Sequence, residues 1–236
     1  MRLDKLLANS GYGSRSVIKK MISSGSVTVN GITVTDPKTD VTEADDITIN
    51  GSQAGLTRYL YFVLDKPDEV ITAMEDQRHK CVGDFIPAEL KGKHLSPVGR
   101  LDYHTTGLLV ITNDGELNHA LTSPKYRITK TYKVTYEGGA LTQEHIDEAA
   151  EGIILRDMDK PVHLAPSELI IQGDNTCLIT LTEGKTHEVR RIISHWGRQV
   201  VTLRRIRLGT LELISEEPGN IRMLTEKEIQ SLKAML

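Results

Sequence analysis

The residues best equipped for chemistry lie together in Pro97-Val98-Gly99-Arg100-Leu101-Asp102-Tyr103-His104-Thr105-Thr106-Gly107. One carboxylate, Asp102, stands between two glycines with an arginine, a histidine and two threonine hydroxyls around it. Gly99 and Gly107 let backbone or ligand approach where a side chain would clash. Arg100 offers a fixed fork of donors for a phosphate or a carboxylate. The alternative is structural: Asp102 caps a turn and Arg100 neutralises it.

Positioning such a loop requires a rigid neighbour, and Leu108-Leu109-Val110-Ile111-Thr112 supplies one as a buried strand ended by Asn113-Asp114-Gly115. Further strands are predicted over Tyr59 to Leu64, Leu169-Ile170-Ile171 and Cys177 to Leu181. Helices are expected from Glu116 to Leu121, from Leu141 to Gly152 behind Thr142, and from near Thr186. Thr225-x-x-Glu228 is a capping box opening a last helix. Lys125 to Val134 interleaves four basic residues with two tyrosines, the pairing that holds phosphate by charge and an unpaired base by stacking. An amphipathic edge strand is the competing explanation.

Residues 1–52 read as a separate small domain, 53–58 as a linker and 59–236 as a larger domain. Leu3, Leu6 and Leu7 share one helical face; Val17, Ile18, Met21 and Ile22 share another behind Ser14, a suitable N-cap. Val27-Thr28-Val29, Asn30-Gly31 and Ile32-Thr33-Val34 form a hairpin signal. Up to Gly25 the cations Arg2, Lys5, Arg15, Lys19 and Lys20 face Asp4 alone, so the helix pair would present a positive surface suited to phosphates. Glu183 to Arg207 holds seven Lys or Arg against two acids, a second basic region.

The motifs bear a resemblance that sharpens these readings. Gly99-Arg100-Leu101-Asp102-x-x-Thr105-x-Gly107 resembles the signature loop of the pseudouridine synthases, in the branch acting on ribosomal RNA. Arg2-Leu3-Asp4-Lys5-Leu6-Leu7, Gly13-Ser14-Arg15 and Gly25-x-Val27-x-Val29-Asn30-Gly31 resemble the small RNA-binding module of a small-subunit ribosomal protein. The resemblance implies Asp102 as the catalytic carboxylate. It implies Tyr132, in Lys130-Thr131-Tyr132, as the residue lying against the target base. Arg190, in Gly184-Lys185-Thr186-His187-Glu188-Val189-Arg190-Arg191, would form an ion pair with Asp102. Arg100, Thr105, Lys130, Lys185, His187 and Arg191 would join the N-terminal cations in binding RNA. Two positions depart from the family pattern: Glu69 follows Lys66-Pro67 where glycine is usual, and Glu188 replaces the commoner glutamine.

The implied fold is α+β: a helix-pair and hairpin RNA-binding domain, then a mixed α/β domain on a long, mostly antiparallel sheet. Isomerising uridine oxidises nothing and loses nothing, so neither cofactor nor metal is expected. The short C-terminus is most similar to the enzymes acting on small-subunit RNA, and the expected protein is a monomer. Composition agrees: 236 residues, 39% apolar and 26% charged, with net charge −3 segregated along the chain. There is no spanning apolar run or signal-peptide pattern, and Cys81 and Cys177 suit a reducing cytoplasm. Competing classes are an enzyme acting on large-subunit RNA, a non-catalytic ribosome-assembly factor, and a two-carboxylate hydrolase using Asp102 with Asp114.

Overall fold

The computed structural model describes every residue except Glu43, Leu56, Thr57, Arg58, Met158, Asp159 and Ser215. The chain forms two compact units, Met1–Leu60 with Pro87–Ser96, and Tyr61–Ile86 with Pro97–Leu236.

In the smaller unit, α1 (Leu3–Asn9) and α2 (Arg15–Ser23) precede β1 (Val27–Val29), β2 (Ile32–Val34), β3 (Ile47–Ile49) and β4 (Ser52–Gln53). Ser14 accepts from the Val17 N–H and caps α2. Leu3, Leu7, Ile18, Ile22, Val27 and Ile47 form its core. Asn30 and Gly31 take left-handed conformations at φ +51° and +79°, the turn that matches strand twist. Asn50-Gly51 repeats this, at φ +49° and +78°, and folds β4 back on β3. This corrects the predicted start of the linker: Gln53 lies in a strand and Ala54 in the core. Leu56 to Arg58, the end of that linker, lie outside the described residues.

The cationic surface is also narrower than expected. Arg15, Lys19 and Lys20 are exposed. Lys5 is buried, however, because α1 is enclosed on more than its leucine face. Arg2 is bound bidentately by the buried Asp4 at 3.0 and 2.7 Å.

The larger unit is built on β5 (Tyr61–Lys66), β6 (Ser96–Pro97, at the chain's return to this unit), β7 (Thr106–Thr112), β8 (Lys130–Glu137), β9 (Ile154–Leu155), β10 (Val162–His163), β11 (Glu168–Gly173), β12 (Thr176–Leu181), β13 (Gln199–Leu208), β14 (Leu211–Glu212) and β15 (Ile221–Met223). The main sheet runs β11-β12-β8-β13-β7-β5-β15. Every neighbouring pair is antiparallel except β13 with β7. Among the described residues, four α-helices accompany it: α3 (Gly115–Thr122), α4 (Gln143–Glu151), α5 (Glu188–His195) and α6 (Glu226–Lys233). Val134, Tyr136, Cys177, Ile179, Ile192, Ile193 and Trp196 lie in the core beneath β8 and β12.

Two details position the site. The parallel contact pairs Arg205 with Gly107, and a Cβ on Gly107 would stand 2.3 Å from the Arg205 carbonyl oxygen. Only glycine fits there, at φ +100°. Asp114 caps α3, accepting from the Glu116 and Leu117 N–H groups and from Tyr61 Oη at 2.8 Å. Its carboxylate is thereby consumed by structure and stands outside the cavity that Asp102 lines, so Asp114 is not the second acid of a two-carboxylate hydrolase.

Candidate active site

Asp102 sits half-buried on the rim of a cavity of about 730 Å³. The cavity is also lined by Arg100, Thr105, Lys130, Tyr132, His187 and Arg205. The loop presenting Asp102 is pinned along its length. Thr72 Oγ1 donates to the Leu101 carbonyl at 2.6 Å and accepts from the Leu101 N–H at 3.1 Å. The Thr105 N–H closes on the Asp102 carbonyl at 3.0 Å. Lys66, wholly buried at the end of β5, donates to the carbonyls of Pro67, Tyr103 and Thr105 at 3.0, 3.2 and 2.9 Å. This lysine is thus a clamp on backbone oxygens. Burial pushes its pKa down to about 8.

The carboxylate's partner differs from expectation. His187 Nδ1 lies 3.0 Å from Asp102 Oδ2. Arg190 instead donates through Nη2 to the His104 carbonyl at 2.8 Å, and its side chain lines a separate open pocket with Ser194 and Arg198. The reason is local geometry. α5 begins at Glu188 rather than near Thr186, and His187 precedes it in a left-handed conformation at φ +52°. That turn brings the imidazole to Asp102 and leaves Arg190 supporting the loop two residues further on.

The remaining expected RNA ligands divide. Arg100 is exposed and lines the cavity, as does Lys130, whose Nζ donates to the Ile128 carbonyl at 3.0 Å. Tyr132 is half-buried, with its ring packed on the core beneath. Lys185 is held by Glu183 at 2.6 Å and the His163 carbonyl at 2.8 Å. Arg191 is engaged bidentately by Asp157, both contacts at 2.7 Å, so its fork is already filled. His104, exposed, meets Asp68 at 3.0 Å rather than Asp102.

The two departures from the family pattern have structural readings. Glu69 holds φ +57°, the region glycine favours, so the turn keeps the glycine shape at a cost in strain. Glu188 is buried; its Oε2 accepts from the Lys185 N–H at 2.6 Å and its Oε1 has no partner. Burial raises its pKa to about 7, and the negative charge of Glu183 adds to the rise. A folded-state value above the unfolded one gives a stabilising contribution that is full below about pH 4.5 and lost as pH rises through about 7. Glu188→Gln is expected to abolish that slope and to stabilise the protein by about 1–2 kcal/mol near pH 8, with little change near pH 5. Thermal melting at the two pH values checks this; parallel curves for both proteins would contradict it.

A pinned carboxylate thus shares one cavity with an aromatic ring and several cations, in a chain whose small unit exposes Arg15, Lys19 and Lys20 on α2. Comparison with known proteins agrees. The RNA pseudouridylate synthase family matches residues 60–195, and an S4 domain matches residues 1–47. The chain belongs to the RNA pseudouridylate synthases, in the branch that carries an S4 domain. It is 34% identical to a Vibrio parahaemolyticus ribosomal small subunit pseudouridine synthase A, covering 98% of this chain and 99% of that one. It is 37% identical to a Bacillus subtilis ribosomal large subunit pseudouridine synthase B, over 99% and 96% respectively. A crystal structure of a pseudouridylate synthase aligns over 98% of this chain and 99% of its own, with TM-score 0.69 and 33% identity. Among the described residues no helix is long and apolar enough to cross a membrane.

Proposed function

We propose that this RNA pseudouridine synthase acts on ribosomal RNA, on a uridine of the small subunit, with Asp102 as the catalytic carboxylate. The observation that carries the reading is Asp102, fixed at the mouth of a cavity it shares with Tyr132. The target nucleotide leaves its stack to reach the cavity. Its uracil lies on Tyr132 and its sugar faces Asp102, which acts on the sugar as nucleophile or base while the bond to N1 breaks. The base turns within the cavity and rejoins through C5; the C5 proton is lost and N1 gains one. His187 holds Asp102 in place through these steps, and Arg190 holds its loop.

The full-length match to the Vibrio small-subunit relative supports that choice of RNA. The Bacillus large-subunit relative supports the second reading, large-subunit RNA, at similar identity. Purified protein should be incubated with each RNA, naked and partly assembled, and pseudouridine mapped by carbodiimide modification and primer extension. One new site in small-subunit RNA is the expected result. A site confined to large-subunit RNA would transfer the assignment, and binding without any new site would favour an assembly factor.

A further inference from the structure

Arg205 lies on β13, in register with Tyr132 of β8 on one side and Gly107 of β7 on the other. It is only 2% exposed, yet it lines the same cavity as Asp102. Its Nε donates to the Leu108 carbonyl at 2.8 Å, and its Nη2 has no hydrogen-bond partner. Among the described residues no carboxylate stands within ion-pairing distance of it. A buried guanidinium without a counter-ion is costly unless something anionic completes the site. Lys130, on the same cavity, adds to the deficit: burial lowers its pKa and the charge of Arg205 lowers it further, against opposing pulls from Glu188 and Glu183.

Resting on the reading that Asp102 acts in this cavity, we propose that Arg205 is a further catalytic residue, its guanidinium donating an N–H to a carbonyl oxygen of uracil as the base detaches. When the bond from C1′ to N1 breaks, its electron pair leaves with N1 and spreads onto the ring oxygens. A preorganised donor in a closed site stabilises that charge as it develops, with no proton transferred to or from the arginine. The depth of Arg205 and its register beside Tyr132 favour the base over a phosphate, whose place is the exposed rim near Arg100.

The test compares wild type, Asp102→Asn, Arg205→Met and Arg205→Lys on the mapped RNA. Three readouts are needed: single-turnover rate with enzyme in excess, RNA Kd by filter binding, and melting temperature. Arg205→Met is expected to lower the rate by on the order of 10²-fold with Kd little changed, and Arg205→Lys to recover part of it. A weakened Kd at an unchanged rate would overturn the proposal in favour of a phosphate contact; an unchanged rate and Kd would also overturn it. Because Arg205→Met removes the bond to Leu108, a second measurement uses folded wild type. The side-chain ¹⁵N–H signal of Arg205 should shift on adding uridine 5′-monophosphate and stay still with ribose 5-phosphate. A shift with both ligands, or with neither, overturns the proposal. Retained activity in Asp102→Asn would instead sink the underlying reading, leaving the Arg205 contact to be judged by that spectrum.

Discussion

Asp102→Asn is expected to lower the rate of pseudouridine formation by about 10⁴-fold or more, while RNA affinity and melting temperature change little. The substitution is nearly isosteric, so the loop keeps its shape. Its fixings are the reciprocal bonds between Thr72 and Leu101, the Lys66 clamp and the Arg190 bond to the His104 carbonyl, none of which uses the Asp102 side chain. The amide oxygen can still meet His187. What disappears is the negative charge facing the sugar, and with it any nucleophile or base. Asp102 is half-buried at the rim, so its contribution to stability is small. Single-turnover rates, filter binding and melting on the same preparations separate these effects. A variant within tenfold of wild-type rate would exclude Asp102 as the catalytic carboxylate.

How far the site could be read from sequence follows from the range of each interaction. The loop from Gly99 to Gly107 was legible because its glycines, carboxylate and following strand are contiguous. The S4-like unit was legible through its helix periodicity and first Asn-Gly turn. The second Asn-Gly, at Asn50-Gly51, carries the same signal, but the strand it turns into runs to Gln53, where small polar residues point instead to a linker. The contact of His187 with Asp102 spans 85 residues and depends on a left-handed residue before α5, for which non-glycine sequence gives no warning. Transferring an ion pair to Arg190 therefore placed the right residue near the loop but against a different atom. Arg205 hid within a run of arginines whose burial only the register of β13 decides. Lys66 lies beyond the strand expected to end at Leu64; in the structure it ends β5, whose six residues are all buried, so its ammonium finds internal acceptors.

Lys66→Met is expected to cost about 10²-fold in activity, through misplacement of Asp102 rather than loss of a reacting group. Methionine fills similar volume but leaves the Pro67, Tyr103 and Thr105 carbonyls without their donor, and two of these belong to the loop that carries Asp102. The stability change should be smaller than three lost hydrogen bonds suggest, because a buried charge is removed as well. Titration gives an independent view of the same clamp. Three carbonyls use all three N–H groups of the ammonium, and the neutral amine has only two. As pH rises through about 8, one carbonyl loses its donor and activity should decline. Global stability should not decline with it. The folded-state pKa lies below the unfolded value of about 10.4, so the unfolded chain binds more protons across that window and this group's effect on stability rises with pH. Activity and melting temperature measured together across the window would diverge if the clamp acts as described. A parallel fall in both would mean that deprotonation loosens the whole sheet, and a flat activity profile would mean that the loop holds Asp102 without Lys66.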